Sequence, residues 1–403
     1  MPAAVADWQA RFQALDSWLS QYQTVWREKP FTRLHCNWEA DYPELAQWLR
    51  QLSLADAETA HNSLALLGAP APLPELLTIA EQLSAVPDWS LAQAQTYPEQ
   101  LERHIPGRKW QQIQAFAAAA QNYWQQPAEH MLDWCAGKGH LGRLLAWQGD
   151  LRLTCLEHDP ALVAAGAELS HSLKLSAHHH CQDVLQPPAW RYLKPEQSVV
   201  ALHACGDLHT TLLRQVVAQG CRQLALSPCC YNRTQAEPYR PLSDSAQQAS
   251  LQLTRDDLAL PLQSTVTAGQ RDRRLRDQSM AWRLGFDLWQ RDARGVDTYL
   301  PTPSRPQSAL QQPFADFCQD LAQHHQLHLP PPSDWAVLER AGWERLAVVR
   351  NLELLRAVFR RPLEIWLLLD RLLWLQQSGY RVQLGQFCPE SLTPRNLLLL
   401  AER

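Results

Sequence analysis

Residues 132–142 read Leu132-Asp133-Trp134-Cys135-Ala136-Gly137-Lys138-Gly139-His140-Leu141-Gly142. An apolar lead-in, a carboxylate, a run of small residues and a renewed apolar period spell strand, loop and helix in succession. Glycines at 137 and 139 let the backbone approach a ligand where a Cβ would clash. The segment is built to hold a nucleoside cofactor.

The same alternation continues outward. Apolar runs at Met131–Cys135, Leu151–Glu157, His179–Val184, Val199–Ala204 and Gln223–Ser227 are separated by helix-length stretches. Such spacing predicts parallel pairing in a doubly wound α/β sheet, with ligands beyond the carboxyl ends of the strands. Trp110–Trp124 reads as a helix leading into the glycine loop, and Leu363–Gln377 as a helix stopped by Gly379. Tyr380–Phe387 and Asn396–Ala401 read as strands joined by a short turn, hence antiparallel. Five parallel strands closed by a late antiparallel pair is the Rossmann-like class I methyltransferase arrangement, unlike the six-parallel dehydrogenase one.

Gly137-x-Gly139-x-x-Gly142 also matches the dinucleotide fingerprint. Two features favour S-adenosylmethionine over a nicotinamide. Asp133 precedes Gly137 by four residues, where it would order the loop or meet the cationic amino-acid end of the ligand. A pyrophosphate at the helix start would be repelled by an acid so close. The closing hairpin, moreover, fits a nicotinamide-binding sheet poorly. Glu157, ending the second strand, is placed to accept both ribose hydroxyls, with Asp159 as its rival. Asp183 is placed to receive the adenine amino group, or else to cap a turn. Cys135, Ala136, Gly137 and Gly139 of the loop and Val184 beside Asp183 complete the expected cofactor set.

Acceptor chemistry is expected where the fourth and fifth strands end, at His203-Ala204-Cys205-Gly206-Asp207-Leu208 and Ser227-Pro228-Cys229-Cys230-Tyr231-Asn232. Methyl transfer to an acceptor rests on positioning and on removing a proton. His203 is the candidate base, since an imidazole titrates near neutrality. Asp207 would orient His203, bind the acceptor or cap the following helix. Cys229, Cys230 and Tyr231 form a candidate acceptor platform. Cys205 and Cys229 also suggest the thiolate addition used in pyrimidine carbon-5 methylation, although the flanking residues match it poorly. His203, Cys205, Cys229 and Cys230 have the donor types of a zinc site. Adjacent cysteines seldom chelate one ion with good geometry, so no metal is expected.

Length and composition bound the rest. A chain of 403 residues, 46% hydrophobic, buries a large core and holds more than one structural unit. Residues 1–104 carry a helical stripe (Phe12, Leu15, Trp18, Leu19, Tyr22, Val25, Trp26) and read as an accessory domain. Residues 105–403 form the cofactor-binding domain, with a mostly helical insertion at about 240–345. Net charge is −4, which points to neither a membrane surface nor a general polyanion binder. Ten scattered cysteines and no secretory leader pattern point to the cytoplasm. Arg271, Arg273, Arg274, Arg276, Arg283, Arg291 and Arg294 interleave with Trp282, Phe286 and Trp289. That pattern suits RNA phosphates and bases, or an amphipathic helix that packs its aromatics and solvates its arginines. Lys138 and His140 stand where they could meet substrate phosphate. Nothing points to an obligate protein partner.

Taken together, the 133–142 loop, the 203–208 and 227–232 segments and Thr393-Pro394-Arg395-Asn396 resemble bacterial methyltransferase-domain proteins. These are related to the eukaryotic methyltransferase-like-25 proteins and to the methyltransferase half of the glutathione-S-transferase C-terminal-domain-containing protein. The resemblance covers about 105–403. It implies a class I fold and S-adenosylmethionine binding at Asp133, Gly137, Gly139, Glu157 and Asp183. Cys135 replaces the first glycine of the usual signature, so the loop is expected to sit slightly further from the methionine end. RNA is the expected acceptor. The alternatives are a protein or small-molecule acceptor, a nicotinamide-dependent oxidoreductase, and a non-catalytic RNA- or protein-binding module.

Overall fold

Apolar side chains on both faces of a strand leave it stable only inside a sheet covered on both sides. Two strands, Gln223–Cys229 and Leu397–Glu402, are buried along their whole length. In the computed structural model they lie side by side as the fifth and sixth strands of one seven-stranded sheet. The structure describes residues 7–60, 68–90, 97–124, 128–263, 270–303 and 305–403. Strands β1 (His130–Trp134), β2 (Arg152–Glu157), β3 (Ala177–Cys181), β4 (Ser198–Cys205) and β5 (Gln223–Cys229) pair in parallel. Strands β6 (Arg381–Gln386) and β7 (Leu397–Glu402) close the sheet antiparallel. The order is β3-β2-β1-β4-β5-β7-β6, the class I Rossmann-like arrangement expected from the sequence.

The chain gathers into two units. One comprises residues 1–18, 83–262 and 362–403 and contains the sheet; the other comprises 19–82 and 263–361. In the sheet unit, the helices Gly107–Tyr123 and His140–Gly149 lay Phe116, Ala120, Leu144 and Leu145 against β1 and β2 to form the main apolar core. The helix Arg360–Gln377 is buried over most of its length, and Trp366 packs at a tilt on Phe12, 5.0 Å between ring centres. Strand β3 forms one edge, where His178 and His180 stand partly exposed in place of the apolar residues of the central strands.

In the second unit the long helix Gln270–Arg294 packs on Trp335–Ala357. Trp282, Phe286 and Trp289 are buried there against Phe314 and Phe317. Arg291 is also buried, paired with Asp287 at 2.8 Å and bonded to Asp297 and the Thr32 carbonyl. Arg283 donates to Pro303, and Arg294 to Gln290. Only Arg271, Arg273 and Arg274 of the arginine series are fully exposed. The packing role therefore accounts for the aromatics and for part of the arginine series. All ten cysteines are free thiols. No helix among the described residues is long and apolar enough to cross a membrane.

Candidate active site

Left-handed backbone at Cys135 (φ 57°), Gly137 (57°) and Gly139 (72°) folds the chain into a loop after β1. Its amides are tied to neighbouring strands: Ala136 N–H donates to the Leu156 carbonyl at 3.0 Å, and Gly137 N–H to Glu157 Oε2 at 2.8 Å. A Cβ on Gly137 would meet nothing within 4 Å, so the loop faces open space there. Gly139 differs. Its missing Cβ leaves room for the Cys155 sulfur and the His179 ring, each 2.9 Å away. That glycine serves the protein's own packing, contrary to the expectation that it admits ligand.

The carboxylates divide the work. Asp133 is buried, and its Oδ2 accepts the Gly142 N–H at 2.9 Å, holding the start of the 140–149 helix. Burial raises its pKa to about 7, against the opposing pull of that N–H and of Arg143. Of its two expected roles, ordering the loop is the one this geometry satisfies. Glu157 is only partly buried. Besides Gly137, it accepts the His158 and Asp159 amides on Oε1, at 2.8 and 3.0 Å. Of its four lone-pair sites three are taken, both on Oε1 and one on Oε2, so one remains on Oε2 for a ribose hydroxyl. Asp159, the rival acid, is the N-cap of the helix Pro160–Ser172. Asp183 lies two residues past β3, half-buried, and accepts the Leu185 N–H at 3.0 Å, while Val184 is buried. Glu157, Asp133, Cys205 and Asp183 all lie near enough to act electrostatically on the Cys135 thiol. Open space at Gly137 and acids after β2 and β3 fit a nucleoside with a hydroxylated ribose.

On the acceptor side, β4 slips register between Leu202 and Ala204, and His203 takes φ 67°. Its Nε2 lies within hydrogen-bonding distance of the Gln112 side chain, at 2.8 Å from Nε2 and 3.1 Å from Oε1. Burial first, then Lys109 and Arg395, lower its pKa to about 4. This departs from the expected base tuned near neutrality. The ring is neutral at pH 7 but holds an added proton weakly. Asp207 is the first residue of the helix Asp207–Gln219, and its Oδ2 accepts the Gln235 N–H at 2.8 Å, pinning the 233–235 loop. It does not bond His203. Cys205 and Cys229 bring their sulfurs to 3.2 Å. Hydrogen bonding from Cys229 dominates the lowering of the Cys205 pKa to about 6, and the Cys229 thiol is raised in turn.

The expected Cys229–Tyr231 platform is only partly open: Cys229 and Tyr231 are buried and Cys230 is half-buried. Tyr231 packs on His209 and beneath the Arg371 guanidinium, 5.1 Å from the ring centre. It still borders a cavity of about 600 Å³ beyond the strand ends, with Asp207, Thr210, Arg214, Gln235 and Arg240 on its walls. Arg371, buried, donates to His209 Nε2 at 3.0 Å and to the Tyr239 hydroxyl at 2.9 Å. Asp370 accepts from Tyr239, Ser243 and Leu242. His209 is held neutral by burial and by Arg371, and its Nδ1 faces the Ala204 carbonyl at 3.1 Å. The sequence pattern singled out none of His209, Tyr239, Asp370 and Arg371. A buried arginine and aspartate on the apolar helix after Arg360 was the available sign.

Gly206 carries no local signal of its role. With φ 49°, a Cβ there would stand 1.8 Å from the Arg233 carbonyl oxygen. His140, expected to meet substrate phosphate, is buried, with its Nδ1 2.7 Å from the Arg143 guanidinium.

Residues 108–237 match the family model described as a methyltransferase domain. Among solved structures the chain resembles a SAM-dependent methyltransferase from Aquifex aeolicus, 11% identical over 33% of this chain and 72% of that one, TM-score 0.26. It also resembles magnesium protoporphyrin IX methyltransferase from Synechocystis (14%, 33% and 64%, TM-score 0.25) and geranyl diphosphate C-methyltransferase from Streptomyces coelicolor (12%, 39% and 65%, TM-score 0.25). A structure from echinomycin biosynthesis is matched over 47% of its length, so the chain spans about half to two thirds of several of these proteins. The 108–237 segment holds β1–β5 and both strand-end clusters. The matched segment thus resembles a methyltransferase domain and carries the parallel part of the class I sheet.

Proposed function

We propose that the chain is an S-adenosylmethionine-dependent methyltransferase acting on RNA. The carrying observation is the loop after β1, where Gly137 faces open space and its amide is latched to Glu157 at the end of β2, with Asp183 just past β3. The bound cofactor supplies an electrophilic methyl group on a sulfonium. This chain's residues do the rest: Glu157 takes a ribose hydroxyl on Oε2, Asp183 the adenine edge, and the acceptor enters by the cavity bordered by Asp207 and Tyr231. His203, neutral and braced by Gln112, orients the acceptor and accepts its proton transiently. Arg214 and Arg240, exposed beside that cavity, suit a phosphodiester backbone. Arg271, Arg273 and Arg274 add a further exposed basic stretch on the second unit.

Calorimetry with S-adenosylhomocysteine and, in parallel, with NADH tests the cofactor; tight binding of NADH alone would end this reading. Mass spectrometry of nucleosides from cells with and without the gene tests the acceptor. Loss of one methylated nucleoside is the expected result. An unchanged RNA profile, with methyl transfer to protein or a small molecule, would move the acceptor elsewhere.

A further inference from the structure

Cys205, Cys229 and Cys230 bring their three sulfurs within 4.8 Å of one another at the ends of β4 and β5. Neighbouring side chains on a strand point to opposite faces, so two adjacent cysteines ordinarily cannot serve one ion. Here the chain breaks that rule at one position. Cys230 follows the last residue of β5 and takes φ 46°, a left-handed turn that non-glycine residues adopt rarely. The turn brings the Cys230 thiol round to the side on which the Cys229 thiol meets Cys205. A bulge in β4, with His203 at φ 67°, and the left-handed Gly206 flank Cys205 on the opposite strand. Strained backbone persists where the surroundings over-determine it, and it clusters at functional sites.

We propose that these three cysteines bind a thiophilic d10 cation, zinc in the first instance, with one coordination position left open. Two thiolates on a tetrahedral zinc, each at about 2.3 Å, stand roughly 3.8 Å apart. The cluster brackets that spacing, from 3.2 Å for Cys205–Cys229 to the 4.8 Å limit. Binding needs no redox partner: three Zn–S bonds form and any thiol protons leave to solvent. Three thiolates and a dication carry one net negative charge, and the Arg233 and Arg395 guanidiniums act on Cys205 to offset it. His203, grouped with these cysteines by the sequence, is engaged with Gln112 and is not the fourth ligand. Cys205 and Cys230 are only partly buried, so water or an acceptor atom can reach the open position. A site with three protein ligands and one exchangeable position is the arrangement of a catalytic zinc, whereas a structural one is closed by four. The inference concerns these thiols alone and stands whether or not the acceptor is RNA.

The test uses the full chain purified under reducing conditions and loaded with zinc. Metal analysis should give about one zinc per chain, falling to below about 0.2 in Cys205→Ser and Cys230→Ser and staying near one in Cys181→Ser, a partner outside the cluster. Cadmium titration should produce a thiolate charge-transfer band whose amplitude drops by about a third in each single variant of the trio. Circular dichroism and S-adenosylhomocysteine binding on the same samples separate unfolding, or failure of the cofactor reading, from loss of the metal. No zinc uptake and no cadmium band by the folded wild-type chain would overturn the proposal. So would zinc that persists in folded variants, or a Cys205–Cys229 disulfide as the sole product.

Discussion

At the scale of single residues, Glu157 does two jobs that predict a compound defect. It latches the Gly137 amide and is placed to receive the ribose. Glu157→Ala should weaken S-adenosylhomocysteine binding 10- to 100-fold, about 1.4–3 kcal/mol for charge-assisted bonds, as calorimetry would read. An unchanged dissociation constant would remove the acid from the cofactor site. His203 yields a prediction in pH. With its pKa lowered to about 4, the ring is already in its proton-accepting form throughout the neutral range. Turnover should show no His203 inflection between pH 5.5 and 8, and His203→Ala should lower it about 10- to 100-fold while sparing S-adenosylhomocysteine affinity. A limb near pH 6.5 that vanishes in the variant would show an unburied, conventional imidazole.

At the scale of elements, the strands were legible because their apolar runs are continuous and bounded by helix-length spacers. Observed limits fall within two or three residues of those read from the sequence, β3 being the most displaced. The loop at 135–139 was legible because glycine and acid spacing is local. The chemistry beyond β4 and β5 was less so, since it depends on a segment that returns in space. The 233–235 stretch crosses over Gly206 and is bonded by Asp207, an approach no local pattern encodes. Tyr231 looked like an exposed platform because the Arg371 that covers it lies 140 residues later. Gly206→Ala should accordingly displace that loop and cost about 2–4 kcal/mol, combining a backbone clash with a left-handed φ; urea unfolding would measure it. Arg371→Met leaves Asp370 buried with one cation fewer and His209 without its donor. The expected loss is about 3–5 kcal/mol, and a neutral result would show that the network contributes little.

At the scale of the whole molecule, the sequence reads a helical domain at 1–104 and an insertion at about 240–345, whereas the compact units interleave 19–82 with 263–361. Tertiary pairing between distant segments, invisible to periodicity, sets that division. The charge state of the buried histidines adds a global prediction. Burial lowers His140 to about 3 and His179 and His203 to about 4. Their folded pKa values lie below the unfolded ones, so the unfolded chain binds more protons on acidification. The stability they contribute is complete above about pH 6.5 and is lost as pH falls towards 4. Asp133, raised to about 7, acts with the opposite sign, its contribution being lost as pH rises through 7. With His209, also held well below its usual value by burial and Arg371, four groups outweigh one. Stability should fall by on the order of 2 kcal/mol between pH 6.5 and 5, seen as a lowered Tm. A Tm flat across that window would refute the burial of these rings.

Strand β7, all six of its residues buried, is inserted between β5 and β6 although it follows both in the chain. While a ribosome is still making residues 381–396, β5 has no neighbour on its outer side and shows an oily, unpaired flank to solvent. Growing chains caught at that stage would be natural clients for holdase chaperones, and a stop codon a few triplets upstream of β7 would leave them there for good.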